Sequence, residues 1–158
     1  MTLRIHKATI DDIESITRNN ILLAKESEQI TLVYSTVFEG VNAVIKDPTK
    51  GFYLVAKQNN IIVGQLLVTY EWSDWKNEMI WWIQSVFIQK NLRKQGIFTL
   101  LLKKIFSLAQ KEDIKRFRLY VHHNNTEART TYAHMRMKKT SYTLYEFTQH
   151  LLNNMREE

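Results

Sequence analysis

Between Val86 and Thr99 the chain reads Val-Phe-Ile-Gln-Lys-Asn-Leu-Arg-Lys-Gln-Gly-Ile-Phe-Thr. Apolar Val86, Phe87 and Ile88 run into a polar, basic segment. A helical period then begins directly after Gly96, with Ile97, Leu101, Ile105 and Leu108. The first N–H groups of a helix have no intrahelical acceptor and share the positive end of its dipole. A loop at such a point can hold an anion through several hydrogen bonds at once. Gly96 allows close approach of a ligand to the backbone, Arg93 and Lys94 add positive charge, and Thr99 offers a hydroxyl in the first turn. The chemistry this spacing suits is capture of a diphosphate. The same residues also read as a solvated basic loop with no ligand.

A second group with chemical potential surrounds one hairpin. Tyr70, Trp72, Trp75, Trp81 and Trp82 cluster there, interleaved with Glu71 and Asp74. Aromatic faces with nearby carboxylates suit a cationic or apolar amine, although packing on a sheet accounts for such rings equally well. Strand alternation would put Trp82, Gln84, Val86 and Ile88 on one face, none of them acidic. Any proton acceptor beside that face must therefore come from elsewhere. Glu71 is the candidate at the end of the preceding strand; Asp74, Glu78, His122 and His123 are the alternatives, and a water relay needs none of them.

These groups require elements to place them. Alternation predicts strands over residues 3–8, 52–58, 61–72, 78–88, 116–122 and 141–147, and helical periods predict helices over 13–28, 33–46, 97–112 and 126–135. Thr9 to Asp12 has the form of a capping box, and Leu151 and Leu152 suggest a short terminal turn. The three strands joined by short polar turns form an antiparallel meander. The strand–helix–strand unit from Val86 to Arg118 makes its two strands parallel. The expected fold is α/β (α+β): a mixed, mostly antiparallel sheet of six to seven strands flanked by about four helices.

Composition bounds the rest. The chain has 158 residues, suited to one domain over 1–158, and 44% hydrophobic residues exclude disorder. The absence of Cys excludes a disulfide framework, a thiolate metal site and a Cys nucleophile, and fits a reducing, cytoplasmic compartment. No apolar run reaches the ~18 residues of a membrane helix, and residues 1–12 do not have the pattern of a signal peptide. Charge is uneven: residues 1–89 hold eight basic and ten acidic groups, residues 90–158 fourteen and six. The basic half points to an anionic partner, and its charges gather around the loop before Gly96.

The sequence resembles the GNAT superfamily of N-acetyltransferases. That family's signature is a Val-x-Val-x-Pro strand followed by Arg-x-x-Gly-x-Gly/Ala at a helix start; here Val86-Phe87-Ile88-Gln89-Lys90 precedes Arg93-Lys94-Gln95-Gly96-Ile97-Phe98, with Thr99 next. A second signature, Asn-x-x-Ala-x-x-x-Tyr, is met by Asn125, Ala128 and Tyr132. The resemblance implies a sheet splayed between the strands at 81–88 and 117–122, with acetyl-CoA in the gap. Its pantetheine would pair with backbone near Val86 and Ile88, and Phe87 lies between them. Its diphosphate would sit on the amides of residues 93–99: Arg93, Lys94, Gln95, Gly96, Ile97, Phe98 and Thr99. Asn125 would contact the pantetheine, and Tyr132 would sit near the sulfur as general acid. Lys90, Phe98 and Arg136 depart from the family's Pro, small residue and Gly.

The implied activity is transfer of acetyl from acetyl-CoA to a primary amine of a small-molecule or peptide acceptor, with Tyr132 as acid and no metal; on the residue reading, Tyr70, Trp72, Trp82 and Gln84 line the acceptor side and Glu71, a histidine or water serves as base. A monomer or homodimer is expected, with neither nucleic acid nor membrane as partner. The competing expectation is an acyl-CoA-binding regulatory module of the same fold that has lost turnover.

Overall fold

Short polar turns convert the alternating apolar residues of the first half into a meander. In the computed structural model, residues 3–149 are described, and they fall into two compact units, one up to Asn125 and one from Thr126. The first unit holds β1 (Arg4–Lys7), a 3₁₀ turn (Ile10–Asp12), α1 (Ile13–Glu28), α2 (Tyr34–Lys46), β2 (Phe52–Gln58), β3 (Ile61–Ser73), β4 (Glu78–Ile88), a second 3₁₀ turn (Lys90–Leu92), α3 (Ile97–Lys111) and β5 (Arg116–Arg118). The strands lie in the order β1-β2-β3-β4-β5. The first four are antiparallel neighbours, and β5 runs parallel to β4 as the crossover through α3 requires. Asn59 and Asn60 both adopt positive φ (51° and 62°), the tight hairpin geometry that Asn tolerates and that suits strand twist.

Register sorts the side chains into two faces. Phe52, Leu54, Val68, Tyr70, Trp81 and Ile83 share the face that α3 covers, while Tyr53, Val55 and Leu67 face Ile13 and Ile16 of α1 and Val41 of α2. Gly64 sets how closely α3 approaches: a Cβ there would lie 2.8 Å from both Ile88 Cδ1 and Ile97 Cγ2. The absence of a side chain at Gly64 therefore lets the first residue of α3 rest on the sheet, immediately beside the end of β4.

The capping box forms as expected, with the Thr9 amide donating to Asp12 Oδ2 (2.9 Å), and the Asp12 amide also closes the 3₁₀ turn on the Thr9 carbonyl (3.0 Å). Asp12 is 2% exposed and ion-paired with Lys57 of β2. Burial alone pushes its carboxyl up; the Lys57 ammonium and the Thr9 amide outweigh that and hold it below its ordinary 3.8. The stabilisation from this group is therefore complete above 3.8 and is lost as pH falls through the lowered value. Lys57→Met leaves a buried carboxylate without its counter-charge and lowers the unfolding free energy by about 3 kcal/mol at neutral pH. Urea denaturation of wild type and variant at pH 7 and pH 3 checks this, with the deficit shrinking at the lower pH.

The second unit contains α4 (Thr126–His134). Its C-terminus closes with the Arg136 amide on the Ala133 carbonyl (2.9 Å) and the Met137 amide on the Tyr132 carbonyl (3.1 Å), with Arg136 at φ 61°. This is a Schellman closure with an Arg where glycine is favoured. Arg136 takes this turn at the cost of left-handed strain of about 1 kcal/mol. Arg136→Gly relieves it, and amide hydrogen exchange of α4 is expected to slow roughly fivefold.

Two strand expectations are corrected. Residues 137–148 contain no strand; Tyr142, Leu144, Tyr145 and Phe147 are exposed along the stretch expected to be the last one. Alternation makes a segment able to be a strand, but a strand exists only where a neighbouring edge takes its N–H and C=O groups. The strand expected over 116–122 likewise ends at Arg118. The sheet of the described residues thus has five strands, not six to seven, and the same residues hold four α-helices. Leu151 and Leu152 lie outside the described residues.

Candidate functional site

The basic loop has the geometry its residues predict. After β4, the Gln89 amide donates to the Val63 carbonyl (2.9 Å) and the chain turns through Lys90–Leu92. Lys94 (φ 61°) and Gly96 (φ 81°) then adopt left-handed conformations, and α3 starts at Ile97. Leu100 is the first residue whose amide meets a helical carbonyl, that of Gly96 at 3.0 Å. The helix start has no side-chain cap, and a Cβ on Gly96 would meet no atom of the chain within 4 Å. Lys94, Gln95, Gly96 and Thr99 are exposed around it, with Phe98 half-buried. Arg93 is used differently from the sequence expectation. Its Nε donates to the Ile88 carbonyl (3.1 Å) and its guanidinium pairs with Glu26 of α1, so the side chain braces the loop against β4 and α1.

The sheet forks beside this loop. The β4–β5 ladder comprises Ile80↔Arg116, Trp81↔Phe117 and Trp82↔Arg118 and ends there, while β4 continues to Ile88. From Ile83 onward the edge of β4 facing β5 therefore has no ladder partner among the described residues. At the same place β4 carries an extra residue against β3: Leu67 pairs with Gln84 but Gln65 with Phe87. Ser85 takes φ 49° in this bulge, and its side chain hydrogen-bonds with the Tyr53 hydroxyl, which also receives the Asn20 amide (3.1 Å). Burial pushes the Tyr53 phenol up. Gln65, fully buried, accepts from Asn19 (2.8 Å) and donates to Asn20 (3.0 Å). This buried polar cluster ties α1 to the bulge, and every member has a partner, as burial demands.

The bulge corrects the alternation of β4. Trp82 and Gln84 share a face with Phe87, whereas Ile88, paired with Gly64, lies on the opposite one. Val86 sits within the bulge, half-buried. The expected acceptor wall divides as well. Tyr70 pairs with Trp81 and Trp72 with Met79 on the α3 face; Glu71, Trp82 and Gln84 are on the α1 face. Trp81 is buried against Phe52 (5.3 Å between ring centroids) and Phe117 (6.3 Å), so it belongs to the core. Trp72 and Trp75 are exposed.

At the last rung of the ladder, Glu71 bridges three strands. Its carboxylate accepts from Trp82 Nε1 of β4 and from the Arg118 guanidinium of β5 (3.0 and 3.2 Å). Just past the rung, Gln84 Nε2 donates to Thr69 Oγ1 (2.6 Å) and the Tyr120 hydroxyl donates to Gln84 Oε1 (3.0 Å). Arg118, Thr69, Ser85 and Tyr120 are the residues that sequence reasoning missed. The alternation over 116–122 already put Arg118 and Tyr120 on one face; what it lacked was the neighbouring strand that gave that face a use.

The other candidate bases are placed apart from this cluster. Asp74 accepts the Trp75 amide in the β3–β4 turn, Glu78 pairs with Arg116, and the exposed rings of His122 and His123 stack on each other (4.6 Å). Asn125 closes a turn on the His122 carbonyl (2.8 Å) at the end of the first unit. In the second unit Tyr132 is half-buried on α4, and burial pushes its phenol above the ordinary value of 10.

A forked mixed sheet with a glycine-started helix beside the fork invites comparison with known proteins. The profile of the Acetyltransferase (GNAT) family matches residues 19–136. The chain belongs to the GNAT family. A possible acetyltransferase from Clostridium difficile 630 is 38% identical, over 94% of this chain and 98% of that one, with a TM-score of 0.85. A predicted acetyltransferase from Clostridium acetobutylicum, solved with acetyl-CoA, shares the fold at 17% identity (96% and 98% coverage, TM-score 0.77). No curated protein sequence matches the chain. As a GNAT acetyltransferase the chain is an acyltransferase, and its family acts on amine acceptors. No helix among its described residues is long and apolar enough to cross a membrane, and no group of three or more metal-ligating side chains occurs among them.

Proposed function

We propose that this GNAT chain transfers an acetyl group from acetyl-CoA directly to a primary amine of a small-molecule or peptide acceptor. The observation that carries this reading is the end of the β4–β5 ladder at Trp82↔Arg118, six residues before the end of β4 and the loop that leads to the helix start at Gly96. The open edge of β4 offers backbone groups to a pantetheine running past Val86, Phe87 and Ile88. The amides from Arg93 to Thr99 then receive the diphosphate at the positive end of α3. The acetyl-CoA in the Clostridium acetobutylicum structure supports the cofactor assignment, and a family profile that runs through the boundary at Asn125 supports one catalytic domain.

Transfer forms the amide C–N bond and breaks the C–S bond. The amine must arrive neutral, and the leaving thiolate must gain a proton. Holding amine and thioester together supplies much of the rate, and a backbone N–H on the open edge of β4 stabilises the developing oxyanion. Tyr132 supplies the proton to sulfur, and Asn125 holds the pantetheine. A phenol raised by burial stays protonated through neutral pH. Both carboxylate oxygens of Glu71 are held by Arg118 and Trp82. In this mechanism it fixes the fork, and the amine loses its proton to water. No metal takes part.

The engaged state of Glu71 also favours the second reading, a module that binds acyl-CoA without turnover. Calorimetry with acetyl-CoA, followed by thiol release on a panel of primary amines, decides between them. Binding with turnover supports the transferase, binding without turnover on every amine supports the module, and no binding removes both.

A further inference from the structure

We infer that the Tyr120 hydroxyl is the anchor of the acceptor nitrogen, receiving an N–H of the attacking amine at the mouth of the fork. The assignment rests on the acetyl-transfer reading above. Trp82 and Arg118 form the last rung; two residues further along each chain stand Gln84 and Tyr120, joined across the opening by the Tyr120 O–H to Gln84 Oε1 hydrogen bond (3.0 Å). Gln84 Nε2 is committed to Thr69 Oγ1 (2.6 Å), which turns the carbonyl end of the amide toward Tyr120. A tyrosine hydroxyl has one proton. With that proton given to Gln84, what the oxygen presents to a ligand is a lone pair, and its complement is an N–H donor. Tyr120 is 60% exposed, with its ring 5.6 Å from that of Trp82, whose side chain stands on the face that carries α1 and α2.

The charge state of the fork narrows the ligand class. Glu71 is matched by Arg118, so its carboxylate is a compensated one. A carboxylate beside the amine would favour its ammonium form, which cannot attack; a neutral phenol oxygen orients the nitrogen without that penalty. The acceptor predicted is a primary amine whose recognition does not depend on a second positive charge. This replaces the cationic preference suggested by Glu71 and Asp74 in the sequence.

The test compares wild type, Tyr120→Phe, Gln84→Leu and the double variant, using acetyl-CoA calorimetry and thiol release with spermidine, lysine methyl ester, alanine amide and phenethylamine. Loss of one neutral hydrogen bond in Tyr120→Phe should lower kcat/KM for the amines turned over about five- to tenfold, mainly through KM. Acetyl-CoA affinity and thermal midpoint should stay at the wild-type level. Gln84→Leu frees the hydroxyl to rotate and should lose two- to fivefold, and the double variant should lose no more than Tyr120→Phe alone. Wild-type kcat/KM in Tyr120→Phe, or a loss that parallels acetyl-CoA affinity, overturns the assignment. Wild type that turns over none of the four amines takes the transfer reading and this anchor together.

Discussion

Gly96→Asp is expected to weaken acetyl-CoA binding at least 100-fold while leaving the fold intact. Gly96 stands at φ 81°, and a Cβ there meets no other part of the chain. The added side chain therefore projects into the space assigned to the diphosphate rather than into the protein. The strain of a left-handed Asp is about 1 kcal/mol. Charge repulsion outweighs it: a carboxylate about 4 Å from a phosphate costs roughly 4 kcal/mol at an effective dielectric constant of ~20. Gly96→Asn separates the two, since it has the same shape without the charge and should lose only about tenfold. Calorimetry on both variants reads the difference, and an Asp variant that binds like wild type would falsify the diphosphate placement.

Tyr132→Phe should lower kcat about 100-fold, within the range typical of a lost general acid, with acetyl-CoA affinity within twofold of wild type. The sign of the pH dependence follows from the raised phenol. A general acid works only while protonated, so its contribution is present below its pKa and lost above it. With Tyr132 pushed above 10, no falling limb from this group should appear between pH 6 and pH 9. The rate should instead rise with pH as more of the amine becomes neutral. A Phe variant that keeps wild-type kcat across this range would show that sulfur takes its proton from solvent.

Local patterns were legible where each residue's role depended on its neighbours in sequence. The expected strands Phe52–Gln58 and Glu78–Ile88 form over those residues, and the helix expected to start at Ile97 does so behind its left-handed glycine. The capping box from Thr9 to Asp12 is also present. The C-terminal half was read less well. The stretch 141–147 has the alternation of a strand and forms none, and the strand expected to reach residue 122 stops at Arg118. Pairing partners lie far away in sequence, and alternation carries no information about them.

Taken alone, the residue order determined the family, the meander, the parallel crossover and the helix start behind Gly96, because each depends on periodicity, a turn or a short motif. The tertiary structure decided what each face of the fork presents. One extra residue at Ser85 reverses the side on which every later residue of β4 points, so Ile88 leaves the face of Trp82 and Gln84. Three-strand register brought Arg118 to Glu71 and Tyr120 to Gln84, turning an apparent free base into a held carboxylate and an overlooked tyrosine into a poised hydroxyl. A bulge and a ladder's last rung are set by competition among backbone hydrogen bonds across strands, and that competition is resolved only when the strands meet.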